Sequence, residues 1–247
     1  EKTLAEMTPY LRSTDRSVRE RAANSRWQFF SDNEEALNRI FDELVKTRHR
    51  IAQKLGFQNF VHVGYLRMMR SDYNANMVAD FREQVHQQIV PIAVALKQKQ
   101  AKRLGLPALK FYDEPLSFKS GNATPKGTPE WIIANGKKMY AELSPETADF
   151  FNFMLENELM DLVAKKGKAG GGYCTYISAL KSPFIFSNFN GTSADIDVLT
   201  HEIGHAFQVY MSREFETSEY YWPTSDGAEI HSMSMEYFAY PWMNNFF

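Results

Sequence analysis

Ile196-Asp197-Val198-Leu199-Thr200-His201-Glu202-Ile203-Gly204-His205-Ala206-Phe207-Gln208-Val209-Tyr210 is the stretch that decides the fold. At about 100° per residue, Ile196, Leu199, Ile203, Phe207 and Tyr210 form one apolar stripe, so the segment reads as a helix packed on a core. His201 and His205, at i and i+4, fall together on nearly the opposite side, close enough to share one ion. Glu202 lies between the two histidines and the stripe. This is the His-Glu-x-x-His pattern of zinc hydrolases, whose glutamate serves as general base. Gly204 at mid-helix costs roughly 1 kcal/mol relative to Ala. The sequence offers no packing reason for it, and a close approach to the backbone would explain it.

A catalytic zinc takes three protein ligands and keeps one open position. No third His follows in the His-x-x-Gly-x-x-His spacing, so the third ligand comes from Glu214, Glu216, Glu219, Asp226, Glu229, His231 or Glu236. The first three lie in the exit of the motif helix and its loop. Glu229 opens a second helix after the turn Thr224-Ser225-Asp226-Gly227, and shares a face with Ser232, Met233 and Glu236. Glu229 is the expected ligand, and Glu236, two turns on, the acceptor that orients a ligand histidine. His231 points elsewhere on that helix and is expected not to bind. His49, His62 and His86 have no partner pattern. Cys174 has no His or Asn arrangement around it and reads as a buried structural thiol.

The first 110 residues read as helices. Thr14 or Asp15 caps one running to about Phe30. Asn33 caps the next, with Phe41, Leu44, Val45, Ile51 and Leu55 as its stripe and Gly56 at its end. A third runs from about Ala75 to Leu104 with Met77, Phe81, Val85, Ile89 and Ile92 as its stripe, kinked by Pro91 and stopped by Gly105. Residues 106–128 are irregular. Thr128-Pro129-Glu130 and Ser144-Pro145-Glu146 each place a capping hydroxyl before a proline at the first helical position, and the second of these helices is expected to continue to about Val163. After the Gly170-Gly171-Gly172 run, Tyr173–Ile177 and Pro183–Phe186 read as short strands. Tyr173 reads equally as part of a mobile loop near a substrate and as a strand start after a flexible connector. Asn188–Gly191 reads as a turn, and Thr192 or Ser193 as the cap of the motif helix.

Hydrophobic residues make up 44% of the 247 and charged residues 23%, which places the chain among soluble globular proteins. Aromatics reach 14%, pointing to a large interior or to a cleft that binds something with side chains. The net charge is −2 with no basic stripe, which argues against a nucleic-acid partner. No apolar run approaches the roughly 18–20 residues of a membrane span. One cysteine excludes a disulfide framework and favours a reducing, cytoplasmic compartment. The oligomeric state is left open. The chain opens at Glu1 without a Met and stops at Trp242-Met243-Asn244-Asn245-Phe246-Phe247, and so reads as an internal piece of a longer protein. Two parts are expected, a helical lobe over residues 1–120 and a zinc-binding catalytic region over residues 121–247.

Gly170-Gly171-Gly172-Tyr173-Cys174-Thr175, Pro183-Phe184-Ile185-Phe186-Ser187-Asn188-Phe189-Asn190-Gly191-Thr192, Asp195, His201–Gln208, Glu229-Ile230 and Ser232-Met233-Ser234-Met235-Glu236 closely resemble the oligoendopeptidase F branch of the thimet oligopeptidase family. Leu55-Gly56-Phe57 and Tyr65-Leu66-Arg67 resemble it too. The resemblance implies a mainly α, zincin-like helical metallopeptidase with a small β-sheet beside the active-site helix, the interior portion of a larger ellipsoidal channel fold. It implies one zinc ion on His201, His205 and Glu229, with Glu202 as catalytic base. It implies a short peptide as substrate, cut internally, with the strand Phe184, Ile185, Phe186, Ser187, Asn188 as the edge that pairs with the substrate backbone and Tyr173 nearby. Family members carry a further C-terminal helical segment, with a His and Tyr residues that help bind the substrate. By resemblance, this chain can bind zinc and still be inactive alone. Two other readings share the motif, a peptide-binding scaffold with a retired site and a helical zinc carboxypeptidase. The intact Glu202 speaks against the first.

Overall fold

The computed structural model describes residues 2–4 and 6–247. The elements run α1 (Thr8–Leu11), α2 (Arg16–Asp32), α3 (Glu34–Lys54), α4 (Phe60–Arg67), α5 (Ala75–Gln84), a π-helical turn (Val85–Ile89), α6 (Val90–Leu104), α7 (Pro129–Leu143), α8 (Pro145–Glu156), β1 (Met160–Val163), β2 (Tyr173–Ile177), β3 (Ser182–Phe189), α9 (Ala194–Ser212) and α10 (Ser225–Ala239). The fold is mainly α with one three-stranded sheet. The chain forms two units, Tyr10–Gly121 and Asn122–Phe247, the second with the described residues up to Pro9. No helix among the described residues is long and apolar enough to cross a membrane.

In the Tyr10–Gly121 unit, Asp15 caps α2 by accepting from Ser17 N at 2.8 Å. Asn33 does not cap α3. Its amide turns back to donate to Phe29 O at 2.7 Å, closing α2 instead. The Ala75–Leu104 stretch is helical throughout, as α5, a π-helical turn and α6. A π-helical turn lies just before Pro91, which sits in the first turn of α6, where its missing N–H breaks no ladder. Gly105, at φ +73°, ends α6 in the left-handed conformation that favours glycine. The unit is tied internally by Asp113, whose fully buried carboxylate pairs with Arg16 at 2.8 Å and with buried Arg19 at 2.8 Å. The stripes read on α3 and α5–α6 are largely exposed, including Phe41, Leu44, Phe81, Ile89 and Ile92.

In the other unit, Ser144 and Thr147 form a reciprocal capping box that starts α8. This helix stops at Glu156, well short of Val163, because Asn157 closes it and Glu158 takes a positive φ of 52°. Met160–Val163 then becomes β1 instead of helix. The strand order is β1-β3-β2, with β1 parallel and β2 antiparallel to β3. The core gathers Tyr140, Phe150, Phe151, Met154, Ile185, Ile196, Leu199, Ile203 and Phe246 between α7, α8, the sheet, α9 and the end of the chain. The predicted stripe of α9 is therefore its buried face, with Phe207 and Tyr210 packed on Phe150.

Candidate metal centre

α9 starts without a side-chain cap from Ser193. Instead Asp195, buried in its first turn, accepts from Asn190 N at 3.0 Å and Gly191 N at 2.8 Å, fixing the turn that leads from β3 into the helix. Two turns on, His201 and His205 present their rings 5.0 Å apart at 82°. α10 packs across α9 where Gly204 lies. A Cβ on Gly204 would stand 2.6 Å from Ser232 Cα, 2.7 Å from His231 O and 3.0 Å from Met235 Cβ. The packing reason that the sequence did not reveal is thus the backbone of a second helix.

That crossing brings Glu229 over the histidines. Its Oε2 lies 3.2 Å from His201 Nε2 and 3.6 Å from His205 Nε2. The ligand atoms of His201, His205 and Glu229 all lie within 4.8 Å of one another, and no other such group of three occurs among the described residues. Glu236 Oε1 takes His201 Nδ1 at 2.6 Å. With that nitrogen donating, the Nε2 lone pair of His201 is left free to face Glu229 and His205. Ser232 Oγ donates to Glu229 Oε2 at 2.8 Å, a support whose i+3 spacing was visible but whose role was not. His231 stays outside the cluster. Two imidazoles and one carboxylate converging on one point suit a borderline cation such as zinc.

Glu202 is buried at 7% exposure. Burial pushes its carboxyl upward, opposed by His201, reinforced by Glu229 and opposed again by the Cys174 backbone N–H. Burial likewise lowers His205. The Cys174 thiol, mostly enclosed, is pushed strongly upward by burial and then by Glu202, which makes it a poor nucleophile.

One expectation is overturned. The strand Phe184–Asn188 is not a free edge, because β3 is the central strand and its backbone is laddered to β1 on one side and β2 on the other. The side chains of Ile185 and Ser187 are buried, and Phe184 packs against the core. Phe186 stacks on Tyr173 at 5.0 Å and 15°, with Lys168 Nζ 4.4 Å from its ring centre. Asn188 spends its amide within the chain, donating to Ala169 O at 2.9 Å and Gly171 O at 2.8 Å. β2, paired with β3 alone, is an outer strand of the sheet.

The sequence model of peptidase family M3 matches residues 9–121 and 134–245. The chain belongs to peptidase family M3. A crystal structure provisionally named oligoendopeptidase F matches this M3 chain at 60% identity and a TM-score of 0.99, over 100% of the chain and 44% of its own length. PZ peptidase A with an inhibitor matches at 62% and 0.99, over 100% and 44%. A Bacillus anthracis protein, also provisionally named oligoendopeptidase F, matches at 60% and 0.98, over 100% and 45%. This M3 chain is thus similar in sequence and fold to structures of the oligoendopeptidase F type, and it spans under half the length of these relatives. A provisionally named peptidase of Chlamydophila abortus, at 16% identity and a TM-score of 0.67, shares the fold. No curated protein matches the chain.

Proposed function

We propose that the protein is a zinc-dependent endopeptidase that hydrolyses short peptides in the cytoplasm, with His201, His205 and Glu229 as zinc ligands and Glu202 as general base. The observation that carries this reading is the convergence of those three donors beside a buried glutamate on the same helix. Zinc held there would supply Lewis acidity that polarises a peptide carbonyl and makes water nucleophilic near neutral pH.

The chain's own groups do the rest. Glu236 holds the proton on His201 Nδ1 and so keeps Nε2 free for the ion. A Glu202 carboxylate oxygen takes a proton from the attacking water as its oxygen bonds to the carbonyl carbon, then delivers that proton to the amine nitrogen as the C–N bond breaks. Burial of Glu202 keeps competing bulk water away from that transfer. The peptide backbone is placed by strand addition to the outer edge of β2, with Tyr173 at the start of that edge. This replaces the assignment of Phe184 to Asn188 as pairing edge.

The test is a pair of variants read in two ways. Glu202→Gln should retain zinc by metal analysis and lose turnover of a fluorogenic peptide by on the order of 100-fold or more. Glu229→Ala should lose the metal itself. A fully active Glu202→Gln sinks the mechanism. Cleavage of an end-blocked peptide at an internal bond separates this endopeptidase from a carboxypeptidase, which leaves the blocked peptide intact.

A further inference from the structure

The segment between β1 and β2 contains Gly170-Gly171-Gly172, with Gly171 at φ +93°. Such a run loses more conformational entropy on ordering than any other sequence of its length, so something must hold it. Two side chains do so, Asn188 from β3 and Lys168 from within the segment itself. Asn188 on β3 uses both N–H bonds of its amide, one on Ala169 O at 2.9 Å and one on Gly171 O at 2.8 Å. Lys168, whose side chain is 3% exposed, turns inward to donate to Asp161 O at 2.9 Å and Val163 O at 3.0 Å, and pairs with the Asp161 carboxylate at 3.0 Å. Its ammonium also lies against the Phe186 ring, on which Tyr173 stacks.

The held segment ends at the reactive glutamate. A Cβ on Gly172 would lie 3.2 Å from Val198 Cγ1, 3.5 Å from Phe186 O and 3.8 Å from Glu202 Oε1. Gly172 therefore passes close along α9 and walls Glu202, and it does so one residue beyond the carbonyl that Asn188 grips. We propose that Asn188 is a positioning residue, whose amide clamps the glycine-rich segment so that Gly172 and the start of β2 are set against Glu202. The clamp rests on the reading of Glu202 as the base for its effect on turnover, but not for its effect on the segment itself. The role assigned here to Asn188 acts through the backbone and differs from contact with substrate.

Hydrogen exchange on the intact protein tests this with Asn188→Asp, which keeps the shape and packing of the side chain while removing both donors, and with Asn188→Ala as a second variant. The amides of residues 170–174 should exchange about tenfold faster or more in both, as expected for loss of an anchoring hydrogen bond, while those of α9 keep their protection. Zinc content by metal analysis should stay at the wild-type level. On an internally quenched peptide, kcat should fall by on the order of tenfold with KM little changed, because the setting of the base is altered and not peptide affinity. Unchanged exchange over residues 170–174 in both variants overturns the clamp, as does a rise in KM with kcat intact, which would make Asn188 a substrate contact. Where the wild-type chain cuts no peptide, exchange over residues 170–174 alone decides the clamp.

Discussion

Replacing Gly204 with alanine sets two effects of opposite sign against each other. Alanine at a mid-helix position is worth roughly 1 kcal/mol of helix propensity over glycine. Against this, the new methyl group would lie 2.6 Å from Ser232 Cα and 2.7 Å from His231 O. Both are backbone atoms of α10, so no rotamer change relieves the contact. Carbon atoms settle near 3.5 Å or beyond, so α10 must move outward by about 1 Å, and overpacking of this kind costs roughly 1–3 kcal/mol. The move carries Glu229 away from His201 and His205, and metal–ligand distances tolerate only about 0.2 Å. Gly204→Ala should therefore weaken zinc binding by at least the roughly 10–100-fold that loss of a supporting contact costs. Chelator competition measures this. Gly136→Ala on α7 is the control, since its methyl group would meet only the Phe151 ring at 3.4 Å and Leu199 Cδ2 at 3.8 Å. It should keep wild-type zinc affinity. Wild-type zinc affinity in Gly204→Ala would refute the claim that the α9–α10 approach sets the ligand geometry.

Three further outcomes are expected. Glu236→Ala frees His201 Nδ1 and should weaken zinc binding by roughly 10–100-fold without removing a ligand, as read by the same competition. Tyr140→Phe deletes a fully buried hydroxyl that has no hydrogen-bond partner among the described residues, and should stabilise the protein by about 1 kcal/mol, raising the midpoint of thermal unfolding by roughly 2–4 °C. Asp113 is held far below the usual carboxylate range, first by Arg16. A depressed carboxyl stabilises above its unfolded pKa of about 3.9 and loses that contribution as the pH falls further. Asp113→Asn, which leaves buried Arg19 without its counter-charge, should cost roughly 3–5 kcal/mol at pH 7, and the difference from wild type should shrink below pH 4 in denaturant melts. A constant difference across that range would show that the charge of Asp113 is immaterial.

What the sequence made legible was local. The α9 stripe, the two histidines opposite it and the Thr128-Pro129 and Ser144-Pro145 helix starts all depend on residues within a few positions of one another. Other features depend on distant chain. Met160–Val163 carries no strong strand signal and becomes a strand because β3 lies beside it to pair. β3 was misplaced as an edge because strand order is invisible in a strand's own sequence. The stripe on α3 correctly reports a helix with an apolar face, but periodicity says only that such a face exists, and Phe41 and Leu44 on it are exposed.

Gly204 and Asn188 show how the local and the distant meet at the centre. The pattern His201-Glu202-Ile203-Gly204-His205 has its variable positions filled by a core residue and by a glycine pressed against the backbone of α10. The motif helix therefore places His201 and His205 by its own period, while Glu229 arrives only as closely as Gly204 permits. On the opposite flank, Glu202 meets a backbone set by Asn188, a residue that belongs to the middle of the sheet and not to its rim. The donors that would hold an ion and the wall that encloses Glu202 are thus fixed by separate contacts. That separation predicts that Gly204→Ala disturbs the metal and spares the exchange of residues 170–174, whereas Asn188→Asp does the reverse. If either variant disturbs both, the two halves of the centre are a single cooperative element and this division of labour is wrong.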